Sequence, residues 1–196
     1  MKSGQVDRRD VLLALTGSVW GLAHCARAPE HDAYARIPDV ELMDQNGRAV
    51  RLRSDVFSRG TFMLHLAFTT CTGSCPSAAQ NLAKVRALLT ADEASAIRTV
   101  TITTDPARDT PHRMREWLEK FYTGPGWTLL TGAVRDVADA VAAITGDSLR
   151  TGQHTPFLLM GARGRQVRSS TFDHPQLLVK LARRLNSGAP EEGETT

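Results

Sequence analysis

Two short stretches of alternating apolar and polar residues, Val40-Glu41-Leu42 and Val50-Arg51-Leu52, flank Asn46-Gly47, and this pattern predicts a β-hairpin. Phe62, Leu64, Leu66 and Phe68 then line one face of a strand, with Met63, His65 and Ala67 on the other. Both faces are largely apolar, so the strand is expected to be buried on both sides, with His65 packed in the core. Ala78, Leu82, Val85 and Leu89 recur at helical spacing within 77–89, and Val100 with Ile102 marks the next strand, completing a β-α-β unit. Met114, Trp117, Leu118 and Phe121 form the stripe of a second helix, with Thr110 as N-cap and Pro111 as first residue. Its aromatics read as core. Val134, Val137, Ala138, Val141 and Ile144 predict a third helix that Gly146 ends. Residues 157–160 and 166–169 read as strands about the turn 161–164, and Leu177, Leu178, Leu181 and Leu185 give a closing helix.

This order predicts an α/β protein: a thioredoxin-like fold with a central mixed β-sheet flanked by helices and an N-terminal β-hairpin. A chain of 196 residues with 41% hydrophobic content suits one such domain, placed at 35–186, with a disordered tail over 187–196. The net charge of +3 is small and scattered, which argues against a nucleic-acid face. Residues 1–30 read differently. Arg8-Arg9 precedes an uncharged run from Val11 to Ala23, too short to span a bilayer, and the pattern resembles a twin-arginine export signal. Leu22-Ala23-His24-Cys25 resembles a lipobox, with His24 where a small residue is usual. A competing cut after Ala26-Arg27-Ala28 is spoiled by Pro29 at the next position, and lipidation at Cys25 and an uncleaved membrane anchor stay open. Each places the domain outside the cytoplasm, on the outer face of the membrane or in the periplasm, where a Cys71–Cys75 disulfide can persist.

The chemistry is expected where the strand at 62–68 gives way to the helix at 77–89, because Cys71 and Cys75 stand at that junction. Residues at i and i+4 share one face of a helical turn, within reach of a disulfide or a shared metal ion. A helix N-terminus favours thiolate, the form that attacks disulfides and binds soft metals. A structural disulfide and two inert buried cysteines are the alternatives that spacing alone leaves. Gln153-His154-Thr155-Pro156, the loop Asp105-Pro106-Ala107-Arg108-Asp109-Thr110-Pro111 and His112 are the other elements that could meet the cysteines. His112 and His174, each at a helix start, read as exposed. Asp105 and Asp109 read first as loop-forming and capping residues. Thr155-Pro156 before a strand also fits a cis-proline of the kind found beside reactive cysteine pairs.

Several ordered motifs together resemble the Sco/SenC copper proteins, assembly factors for the copper site of cytochrome c oxidase. They are Leu42 to Arg48, Phe68-Thr69-Thr70-Cys71 with Cys75-Pro76, Asp105 to Pro111, Trp127 to Gly132, and His154, spanning about 37–185. The resemblance implies a thioredoxin-like domain in which Cys71, Cys75 and His154 bind one copper ion, as Cu(I) or Cu(II), with Asp105 behind them orienting a ligand or facing the partner. Two thiolates and an imidazole suit both oxidation states. The chain departs from the family around His154. Gln153 stands where an Asp is usual, Thr155-Pro156 follows, and His154 comes only eight residues after Gly146, without the family's hairpin-bearing insertion. The leading expectation is a monomeric copper chaperone delivering to a cuproprotein such as a cytochrome c oxidase subunit. The other is a thiol-disulfide oxidoreductase using Cys71 and Cys75, served by a thiol reductant.

Overall fold

The computed structural model describes residues 34–146, 158–162, 165–169 and 174–189, all within one compact unit, His31–Thr196. The hairpin forms as its residues predict. Strands β1 (Glu41–Asp44) and β2 (Ala49–Arg51) pair antiparallel, and Gly47 takes φ +78° in the turn. Asp44 fixes that turn by accepting the Asn46 and Arg48 backbone N–H groups, each at 2.8 Å. A short π-helical stretch, Leu52–Phe57, follows.

Strand β3 (Thr61–Ala67) is buried along its whole length, and its two faces go to two different cores. Phe62, Leu64 and Leu66 pack with Val100, Ile102 and Leu130, against the helix α4 named below. Met63 and Ala67 face helix α1 (Ser74–Leu88). His65 is the packed core residue expected, with Nδ1 lying 3.5 Å from the Thr101 hydroxyl. After α1 come α2 (Ala91–Ala96), β4 (Ile97–Thr103), α3 (Pro111–Glu119), β5 (Trp127–Thr131) and α4 (Val134–Thr145). Thr110 caps α3 through a bond from Arg113 N–H, with Pro111 at the first turn. Trp117 is buried, and its ring meets that of Phe121 edge-on at 4.9 Å. Gly146 closes α4 in the left-handed conformation. Strands β6 (Leu158–Ala162) and β7 (Arg165–Ser169) and helix α5 (Pro175–Ser187) complete the order.

The sheet runs β2-β1-β5-β4-β3-β6-β7, with β3, β4 and β5 parallel and the remaining neighbours antiparallel. Residues of α1, α3 and α5 join the core on one face, and residues of α4 with the π-helical stretch join that on the other. This is the mixed, doubly covered sheet expected, with one strand more than the pattern predicts. β5 carries Trp127, Leu129 and Leu130 into both cores and joins the hairpin to the parallel centre. Its apolar residues do not alternate, since Leu129 and Leu130 are adjacent and both buried, so no period of two announces it.

Three further details differ from expectation. The turn between β6 and β7 is tighter, because Gly161 and Ala162 still pair, with Gln166 and Arg165. In α5, Leu177 is exposed, and Leu178, Val179, Ala182 and Leu185 form the buried stripe. That helix continues to Ser187, one residue into the expected tail. Residues 1–30, with the export signal and Cys25, lie outside the described residues, as do 190–196. Among the described residues no helix is long and apolar enough to cross a membrane.

Candidate functional site

Leaving β3 at Ala67, the chain turns through 68–73, where Cys71 N–H donates to the Phe68 carbonyl at 3.1 Å. Gly73 occupies the N-cap of α1, so helical structure begins at Ser74, three residues earlier than the spacing predicts. Cys75 is therefore inside the first helical turn and Cys71 is outside the helix. The two cysteines do not share one face of a helical turn. They meet because the loop folds Cys71 back onto the start of α1. Neither is in a disulfide, Cys71 partly exposed and Cys75 only 1% exposed, packed in the same core as Ala67, Ala78 and Ala79.

That burial corrects the expected thiolate at Cys75. Desolvation pushes the Cys75 thiol up to about 12, and its hydrogen bonding with Cys71 pushes the same way. The Phe68 backbone N–H favours the thiolate but is outweighed. Helix N-terminal groups help an anion only where it stays solvated or paired, and a sulfur sealed under apolar residues loses more hydration than they return. The pair is asymmetric as a result: Cys71 is reachable and Cys75 is a sheltered thiol.

The loop after β4 lies alongside, since Thr104 N–H donates to the Ala67 carbonyl at 2.9 Å. Asp105 is 5% exposed, accepts Arg108 Nη1 at 2.9 Å, and receives Arg108 and Asp109 backbone N–H groups on its own carbonyl. Asp105 thus has the loop-forming role read from the sequence. Asp109 departs from the capping role read from the sequence, because Thr110 caps α3 and the Asp109 carboxylate turns to other partners. Buried at 1% exposure, it accepts Thr69 N–H at 3.0 Å, the Thr69 hydroxyl at 2.5 Å and the Thr103 hydroxyl at 2.6 Å. No local rule pairs residues 40 positions apart, so this contact has no sequence signal of its own.

His112 is exposed on α3 and sits 3.4 Å from a Glu116 carboxylate oxygen, and His174 is exposed at the N-cap of α5, both as expected. His154, with Gln153, Thr155 and Pro156, lies outside the described residues. Among the described residues no group of three His, Cys, Asp or Glu is arranged to hold a metal ion, so Cys71 and Cys75 stand there as a pair.

A family model described as SCO1/SenC matches residues 29–145, more than half of the chain. A SCO2-like protein of Rickettsia conorii is 34% identical over 104 residues, covering 52% of this chain and 48% of that protein. The chain thus spans about half the length of the curated relatives it matches. Among solved structures, copper-bound ScoI of Bradyrhizobium japonicum aligns with TM-score 0.62 at 24% identity, covering 74% of this chain and 96% of that one. BsSco, described as a member of the Sco family of cytochrome c oxidase assembly proteins with a disulfide switch, aligns with TM-score 0.63 at 15% identity, covering 76% and 91%. These likenesses share the thioredoxin-like fold. With the family model spanning the hairpin, the cysteine loop and the Asp105–Pro111 loop, the chain belongs to the SCO1/SenC family.

Proposed function

We propose that the chain is a copper chaperone of the extracytoplasmic space. Cys71, Cys75 and His154 hold one copper ion as cargo, for delivery to a cuproprotein such as the copper site of cytochrome c oxidase. The observation that carries this reading is the meeting of two cysteine thiols at the carboxyl end of β3 in a SCO1/SenC chain. A copper-bound relative and a relative named for oxidase assembly support the cargo and the recipient. Two sulfurs suit Cu(I), and a third ligand from a different loop leaves a site that a recipient can dismantle one ligand at a time. Because Cys75 is protonated at neutral pH, metal binding must displace its proton. Apparent affinity should therefore rise with pH, by about tenfold per unit for that thiol alone.

The test is a copper titration of the reduced full chain, followed in the thiolate charge-transfer region. One retained equivalent, lost in Cys71→Ser, Cys75→Ser and His154→Ala, is the expected result. A wild-type chain that keeps no copper rejects the proposal.

The asymmetry of the pair favours a second reading, thiol-disulfide exchange. Cys71 attacks one sulfur of a partner's disulfide and releases a partner thiolate. Cys75 then attacks the Cys71 sulfur, releasing the second partner thiol and leaving a Cys71–Cys75 disulfide that an external thiol reductant reopens. His154→Ala separates the two: it abolishes copper retention in the first and leaves exchange nearly intact in the second.

A further inference from the structure

Asp109 follows the loop at the end of β4, yet it does not cap the helix beside it, since Thr110 caps α3. Its carboxylate turns the other way. Oδ2 accepts Thr69 N–H at 3.0 Å and the Thr103 hydroxyl at 2.6 Å, and Oδ1 accepts the Thr69 hydroxyl at 2.5 Å. Thr103 is the last residue of β4, and its hydroxyl oxygen also accepts Asp105 N–H at 3.0 Å. Thr69 lies two residues beyond β3 and two before Cys71. A buried carboxylate is costly unless its acceptors are filled. Here they are filled by the loop that carries Cys71 and by the end of a central strand.

The two sulfurs differ in how they are held. Cys75 is fixed by α1 and by the core around it. Cys71 belongs to neither β3 nor α1, so its place depends on the conformation of 68–73. We infer that Asp109 is a positioning residue for the cysteine pair: by pinning Thr69 to the end of β4 it holds the Cys71 loop against helix-borne Cys75. This rests on the reading that Cys71 and Cys75 are the working groups of the protein. The clamp acts by pre-organisation, raising the effective concentration of one thiol at the other.

The readout is the equilibrium of the full chain with glutathione. Cys71 and Cys75 give up two electrons and two protons to form their disulfide, and one glutathione disulfide takes them up as two glutathione thiols. Thr69→Val removes one donor to the clamp, and Asp109→Ala removes the acceptor. Each should lower the equilibrium constant by about tenfold, a rise of about 30 mV in the pair's potential, while Thr69→Ser keeps it within about threefold of wild type. A fall of less than about threefold in Thr69→Val, or a rise, overturns the inference even where the melting temperature drops, because a purely supporting role weakens the fold without changing the pair. If Asp109→Ala does not fold, Thr69→Val decides alone. Copper retention is measured separately: a wild type that keeps no copper defeats the chaperone reading, whereas the glutathione constant still reports on the clamp.

Discussion

Strand β4 begins beside a buried arginine and ends beside a buried aspartate, and the two ends solve opposite problems. At the start, three chain segments turn carbonyls toward one side chain. Arg86, 3% exposed on α1, donates to Ile97 O at 2.5 Å, Ala94 O at 3.0 Å and Pro125 O at 2.8 Å, with its guanidinium carbon 5.8 Å from the centre of the Tyr122 ring. Gly126 lies against it at φ +83°, where a Cβ would strike the guanidinium. At the other end the groups to be satisfied are donors, and Asp109 gathers them. The arginine closes a corner of the scaffold. The aspartate ties down the loop that bears Cys71. Similar use of a buried ion thus builds a frame at one end and a site at the other, in keeping with the placement of α/β sites at the carboxyl ends of strands.

The comparison breaks most directly at the frame. Arg86→Ala leaves three carbonyls without their donor and should lower unfolding free energy by about 3 kcal/mol in urea titrations. The same variant should leave the glutathione equilibrium of the cysteine pair unchanged, and a shift there would show that the two ends are not separable.

Next in size is the alkaline behaviour of Cys75, which sharpens the contrast from the site's side. Its folded value of about 12 stands above the ordinary thiol value of 9.0, so the native state holds a proton that the unfolded chain releases between those limits. The resulting stabilisation is full below about pH 9 and is lost as pH rises toward 12. The reduced wild type should lose about 1 kcal/mol per pH unit in that window relative to Cys75→Ala, measured by denaturant midpoint.

The smallest effect belongs to the rim of the frame. Glu93 forms a capping box with Thr90 and accepts Arg183 Nε at 2.6 Å, and the Arg183 hydrogen bond holds its carboxyl down at about 2. That contribution is present above about pH 4.5 and disappears as pH falls through about 2. Glu93→Gln should lower the melting temperature slightly at neutral pH, and the difference from wild type should close on acidification in that range.

Much of this was legible in the chain because it depends on short-range rules. The hairpin follows from Asn46-Gly47, the opening of α3 from Thr110-Pro111, and the close of α4 from Gly146. The two faces of β3 follow from residue parity alone. The start of α1 escaped because Gly73 takes the N-cap without any side-chain bond, while Ser74, itself a residue type that favours capping, falls inside the helix. α2 escaped because none of its residues is buried, which leaves an amphipathic pattern nothing to mark.

By itself the sequence determined most of the helices and most of the strands, which of their faces are apolar, and which side chains could do thiol chemistry. These are properties of period, propensity and functional group, and each is settled within a few neighbouring positions. Tertiary structure alone decided that Cys75 is a sheltered thiol, that Cys71 stands outside the helix, and that Asp109 reaches Thr69 across 40 positions. Desolvation and long-range hydrogen bonding depend on what the rest of the chain brings alongside, and no local pattern encodes that.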